Sequence, residues 1–222
     1  TVVVKVKPIE GKSSGGRSTS SHITVRVPQQ SDIDVATISA DINVDDLQGE
    51  QELQSVSGQI DTEAFVAEIE AETVSGDIDV VGNTDDIEVE LASVSGSISV
   101  RDLSGTIAME TVTGRLSVAG GSFSEAGMQT VNGRVEFRSN LRKNGDLEVE
   151  TVNGRISVTL IGDVSAEIDV NTFNGRIKNC FGPKPEKTSK YAPGWELRFT
   201  EGKGEGSVNI ESLNGPVTLC KE

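Results

Sequence analysis

The octamer TVNGRISV, residues 151–158, recurs along the chain with its spelling barely changed. Copies begin at 55 (SVSGQIDT), 73 (TVSGDIDV), 93 (SVSGSISV), 111 (TVTGRLSV), 130 (TVNGRVEF), 172 (TFNGRIKN) and 212 (SLNGPVTL), after a degenerate TISADINV at 37. Successive copies stand 18, 18, 20, 18, 19, 21, 21 and 40 residues apart. A period near 20 means that each unit buries its apolar side only against its neighbours, which restricts the chain to a repeat architecture. The last interval spans two periods, so one copy is expected to be replaced by something else.

Aligned on the first Thr or Ser, the nine copies sort into columns. The second position holds Ile38, Val56, Val74, Val94, Val112, Val131, Val152, Phe173 and Leu213, and the sixth holds Ile42, Ile60, Ile78, Ile98, Leu116, Val135, Ile156, Ile177 and Val217. Both are apolar throughout. Before each copy, apolar and polar residues alternate, as in Leu147, Glu148, Val149, Glu150. Each unit is therefore a strand, a turn and a strand with one face buried. The turn carries Gly58, Gly76, Gly96, Gly114, Gly133, Gly154, Gly175 and Gly215, with Ala40 the exception. A glycine fixed in a bend is expected to supply positive φ without steric cost. The Ser, Thr or Asn before it can bond local backbone, and stacked copies can bond one another.

If each unit lies parallel on the last, every column becomes a ladder at the ~4.8 Å strand spacing. The expected fold is all-β, a parallel β-solenoid (single-stranded β-helix) with about 20 residues per coil and about nine or ten coils, a rod roughly 45–50 Å long. Residues 1–30 are assigned to an N-terminal strand pair or cap, 31–179 to regular coils, 180–206 to an irregular basic insert and 207–222 to a terminal coil. Six Phe, one Tyr and one Trp in 222 residues are too few aromatics for an ordinary sandwich core. No apolar run reaches 18 residues, so no membrane insertion is expected. The opening TVVVKVKPIEGK alternates like a strand and lacks a signal peptide's apolar core, so any targeting segment is expected before Thr1.

Charge is unevenly placed. Residues 1–30 hold five basic and one acidic residue, residues 31–100 hold eighteen acidic and no basic ones, and residues 101–222 hold fifteen basic and sixteen acidic. A surface of net charge −15 repels nucleic acid and anionic lipid.

The segments VETVNGRISV and AETVSGDIDV, with the irregular KNCFGPKPEKTSKYAPGWELRFTEGKGEGSVNIESLNGPVTLC, resemble a bacterial adhesin-type family of β-strand-repeat proteins, labelled a domain of unknown function. The resemblance runs from about HITVRVPQQSDIDV to the end. It implies an exported β-solenoid, at the cell surface or in the periplasm, and it supplies no catalytic residues. That exported character favours oxidation of the only two cysteines, Cys180 and Cys220, each of which follows an octamer in the same column. One obstacle is geometric: a full coil of WELRFT between them would set like columns ~9.6 Å apart, beyond the ~7 Å Cα limit of a disulfide. Pairing requires the insert to bulge.

Three features qualify as sites. Arg115, Arg134, Arg155 and Arg176 stack in the fifth column, where Asp41, Gln59, Asp77 and Ser97 precede them. They are expected to form an outward ladder paired with nearby acids such as Glu110, Glu150 and Asp169, or else to face the carboxylates of an acidic polysaccharide. The insert carries Lys184, Lys187, Lys190, Tyr191 and Trp195, the expected contact region for a protein or cell-surface glycan; it serves equally as a lid on the core. Asp77, Asp79, Asp85 and Asp86 crowd together without the spacing of a calcium loop. With carboxylates spread along ladders and one histidine, His22, in the N-terminal region, no enzyme, cofactor or metal centre is expected. The expected function is that of a non-enzymatic scaffold or adhesin-like interaction module. An unpaired strand edge at each end makes end-to-end assembly into an extracellular filament one alternative, and an acidic-polysaccharide-binding or -processing β-helix protein is the other.

Overall fold

The computed structural model describes residues 22–65, 68–82, 86–189 and 193–222, and these form strands and turns with no helix. Residues 1–21 of the expected strand pair lie outside the described residues, and residues 22–28 form no strand. The first four repeats each hold two short strands: β1 (Ile33–Thr37) and β2 (Ile42–Val44), β3 (Gln51–Ser55) and β4 (Ile60–Ala64), β5 (Ile69–Thr73) and β6 (Ile78–Gly82), β7 (Ile87–Ser93) and β8 (Ile98–Arg101). Extended chain then continues through β9 (Gly105–Asn153), β10 (Ile156–Leu160), β11 (Ala166–Asn174) and β12 (Ile177–Asn179). Beyond the insert come β13 (Glu186–Lys187), β14 (Trp195–Glu201), β15 (Gly206–Asn214) and β16 (Val217–Lys221).

Strands lie parallel on their counterparts in neighbouring repeats, Ile69 beside Val89 and Ile78 beside Ile98, giving a mostly parallel, solenoid-like stack. The sixth column is buried from Ile42 to Val217, and alternate residues of the preceding strands (Leu53, Met109, Val149) complete the core. The apolar second column is not buried. Leu147, Val149 and Thr151 all point inward, so strict alternation turns Val152 outward, and every second-column residue is exposed. The first-column hydroxyls take the inward place because the turn needs them. Gly58 N donates to Ser55 Oγ at 2.8 Å and Gly76 N to Thr73 Oγ1 at 3.0 Å. Ser93 Oγ and Thr111 Oγ1 donate to the carbonyls of Gly76 and Gly96, one repeat away, at 3.3 and 3.2 Å. Among the described residues, only Thr130 and Thr151 leave a buried side-chain oxygen without a partner.

None of the turn glycines has positive φ; that conformation falls at glycines such as Gly120 and Gly121. Glycine is needed in the turn column for close approach instead. A Cβ on Gly76 would overlap the carbonyl oxygen of Gly58, and one on Gly154 would overlap that of Gly133. Among the described residues Ala40 stands at the end of the column, where β2 pairs with β4 alone, and so escapes the rule.

The long final interval holds the β13–β14 hairpin in place of an octamer copy, and it leaves no gap in the stack. β15 and β16 return into the stack: β15 pairs with β9 and β11, and β16 with β10 and β12. The repeat at 212 thus lies between those at 151 and 172. The asparagine ladder records the same order, Asn153 donating to Asn132, Asn214 to Asn153 and Asn174 to Asn214, each at 3.0 Å. Asn179 pairs in register with Leu219, which brings the next residues, Cys180 and Cys220, to a Cα–Cα distance of 4.8 Å in a disulfide. The insert folds aside as a hairpin, as pairing required, and adjacency of the two repeats removes the geometric obstacle. At the far end β14 runs antiparallel over β11, so the stack is not wholly parallel. Leu197 is buried there, while Trp195 and Phe199 pack on the core, and Phe181 meets Phe199 at 5.6 Å.

Two outcomes follow. Gly154→Val should cost about 1–3 kcal/mol, because a bonded turn must open to admit the side chain, against within ~0.5 kcal/mol for exposed Arg155→Ala; equal thermal melting of the two variants would contradict the close-approach account. Replacing Cys180 and Cys220 by Ser removes a 40-residue cross-link and should cost about 2–4 kcal/mol in denaturant unfolding. Thiol titration of the unfolded, unreduced wild type should find no free thiol.

Candidate functional site

The outward second column makes an apolar stripe along one corner of the stack, from Ile38 (76% exposed) through Val152 (38%) to Phe173 (58%). Register fixes its order: Val152 is followed by Leu213 and only then by Phe173. Toward the Phe173 end the stripe lies in an open groove of about 630 Å³, where Val112, Val131, Val152, Leu213 and Phe173 form the apolar line. Glu110, Glu150 and Glu211, one residue before each octamer, edge it on one side. On the other runs the asparagine ladder. The parity of Leu147, Val149 and Thr151 already places Val152 outside, although its apolar side chain argues for burial.

The insert closes one end of the groove through Thr188 and Gly194. It is a hairpin: Glu186 pairs with Glu196 and Lys187 with Trp195, and Thr188 N donates to Gly194 O at 3.1 Å. Its base is tied by Asn179 Nδ2 donating to Pro183 O at 2.9 Å. Lys184 and Lys187 are exposed, and the Lys187 Nζ sits 5.8 Å from the centre of the Trp195 ring, within cation–π reach. Lys190 and Tyr191 lie outside the described residues. Trp195, Arg176, Asn174, Pro193 and Pro216 line a smaller hollow beside the hairpin. Strand β14 covers the core as a lid would, and the hairpin it forms with β13 stands against the groove.

The four arginines do not form one continuous ladder. Ile156 N donates to Pro216 O and Val217 N to Arg176 O, so Pro216 separates Arg155 from Arg176. Arg134 pairs with Glu136 at 3.4 Å on its own strand, both side chains well exposed, a contact of little worth in solvent. Among the described residues Arg115, Arg155 and Arg176 have no ion pair, and Asp169, expected as a partner, pairs instead with Arg198 at 2.9 Å. At the opposite end of the column the aspartates serve the stack. Gln59 N donates to Asp41 Oδ1 at 3.0 Å and Ser97 N to Asp77 Oδ1 at 2.7 Å. Of the crowded acids, Asp86 is held by Arg142 at 2.7 Å, and Asp85 lies outside the described residues. No group of three or more potential metal ligands converges among the described residues.

Residues 3–105 match the model of the Toastrack family DUF4097, a repeat family of unassigned function. The match ends where β9 begins, and it supports the repeat-family resemblance at that level. No curated protein and no solved structure matches the chain.

The phase of the site can be tested directly. Thr73→Val keeps the shape but removes the acceptor of the Gly76 N–H, and should cost about 1–2 kcal/mol. Val74→Thr on the outer face should stay within ~0.5 kcal/mol. The reverse ranking in urea unfolding would place the columns the other way round.

Proposed function

We propose that the chain is a non-enzymatic interaction module that docks a partner along its apolar stripe, as an exported scaffold or adhesin-like element at the cell surface or in the periplasm. One observation carries this reading: an always-apolar column faces solvent along the whole stack. Monomeric soluble proteins rarely leave contiguous apolar patches of more than a few hundred Å² uncovered. The surroundings match a docking site, with an apolar line, a polar rim and a hairpin carrying Trp195 at one end. Carboxylates such as Glu110, Glu150 and Glu211 recur in one repeated environment, whereas acid–base catalysis needs a group set apart from its neighbours. The apolar lining favours a protein surface over a glycan, whose subsites want aromatic platforms. The disulfide is in keeping with an oxidising compartment. In the same reading the stack is a single-stranded β-helix of about 20 residues per coil, with 31–179 as regular coils, 180–206 as the insert and 207–222 as the chain's last coil.

Peptide and glycan arrays probed with the whole protein test this. A Val131→Glu/Val152→Glu variant should lose at least ~10-fold in binding to any ligand found, with thermal melting unchanged, since both positions are exposed. Arrays that give no ligand, or ligands indifferent to that variant, would overturn the reading.

A further inference from the structure

The stripe is longer than the groove, and the column beside it carries a polarity of its own. Three residues further round each turn, the fifth column reads Asp41, Gln59, Asp77 and Ser97 along one half of the stack. Along the other half it reads Arg115, Arg134, Arg155, Pro216 and Arg176, in the spatial order set by the inserted last repeat. One half of a straight edge is acidic or neutral and the other is basic, with the apolar column running unbroken beside both. Within the described residues the arginines are left almost unpaired, as only Arg134 has an ion pair, and that one is well exposed. Asp41 and Asp77 each accept a backbone N–H through Oδ1.

An edge of this kind is complementary to itself reversed. We propose that a second copy of this chain covers the stripe in an antiparallel, two-fold arrangement, apolar column against apolar column. The proposal rests on the reading of that column as a docking surface and names its occupant. A two-fold axis across the stack lays the Asp41–Asp77 half of one copy over the Arg134–Arg176 half of the other, and the reverse, as an isologous contact demands. A parallel two-fold would align the two segments 31–100, each with eighteen acidic and no basic residues. Size is adequate. Nine rungs at ~4.8 Å make a stripe ~40 Å long, and a contact ~20 Å wide along it covers ~800 Å² per copy, the extent of a standard specific interface. Glu72, Glu110 and Glu150 on one side, and the fifth column beyond the asparagine ladder on the other, then form its polar rim.

Sedimentation velocity of the whole protein, from about 1 to about 100 µM, tests the proposal. A monomer–dimer equilibrium is expected, with a dissociation constant of about 10 µM or tighter that weakens when salt rises from about 0.05 to about 0.5 M. Val94→Lys/Val112→Lys should raise that constant at least ~10-fold without changing the melting temperature. Arg155→Asp/Arg176→Asp should weaken the dimer, as should Asp41→Arg/Asp77→Arg, and the four changes together should restore it. That rescue is specific to an antiparallel pairing. Failure of the rescue with both pairs weakened would refute the antiparallel arrangement. A monomer at about 100 µM in low salt, or growth past the dimer that ignores these variants, would refute the second copy as occupant. A monomer that still binds an array ligand, and loses it in Val131→Glu/Val152→Glu, would leave the docking reading standing and this inference overturned.

Discussion

The structure depends on how closely one turn lies on the next. Along the glycine column each carbonyl oxygen occupies the place where the neighbouring turn would carry a Cβ. Any side chain there would lever two repeats apart at the corner and tear the ladder hydrogen bonds on both sides of it. The constraint also sets register. With the corners in contact, every residue is stacked on its equivalent, and that is why Asn132, Asn153, Asn214 and Asn174 can pass one amide bond along the stack. Columns become surfaces, each with one chemistry running the length of the molecule.

Two demands then divide the columns. Backbone groups in the tight turn are buried and require partners, so a hydroxyl at the first position points inward, where burial of a lone polar atom would otherwise be costly. Alternation does the rest, turning the following valine outward. An apolar stripe on the outside is thus coupled geometrically to a hydroxyl on the inside. Choosing Val, Ile, Phe or Leu at that outward place is a separate matter that the fold does not require, and the proposed docking along the stripe would supply the reason.

The C-terminal end is assembled out of order. β11 and β12 find parallel neighbours only in β15 and β16, and their other flank is covered by β14 or left to the insert. The last repeat of the chain fills the slot that joins 166–179 to the rest of the stack. Its contacts are far apart in sequence, Ser207 bonding Asp146 across 61 residues, so this end forms through non-local closure. The Cys180–Cys220 bond fastens the joint, and the ion pair of Glu222 with Arg138 at 2.5 Å ties the chain end against the body of the stack.

Much of this was legible in the residues. The period, the inward sixth column, the asparagine stacking and β14 in WELRFT all follow from spacing and alternation, because a repeat imposes the same local geometry at every copy. The stripe was legible too, through the phase of Leu147, Val149 and Thr151, but the identity of Val152 is a stronger cue for burial than its phase and points the wrong way. Hidden from the sequence were the reason for the glycines, which lies in a neighbouring repeat rather than in the residue's own φ, and the position of the final copy. Intervals along the chain give distance in sequence, and nothing in them says that the copy at 212 threads between those at 151 and 172. Hydrogen-bond pairing in space decides that. It places Pro216 among the arginines, brings the cysteines side by side and covers the end of the core. The sequence alone determined a stack of repeats and the chemistry of each column, since these are local. Tertiary pairing alone decided the order of the stack and which copies stand side by side in it, because both are settled between repeats.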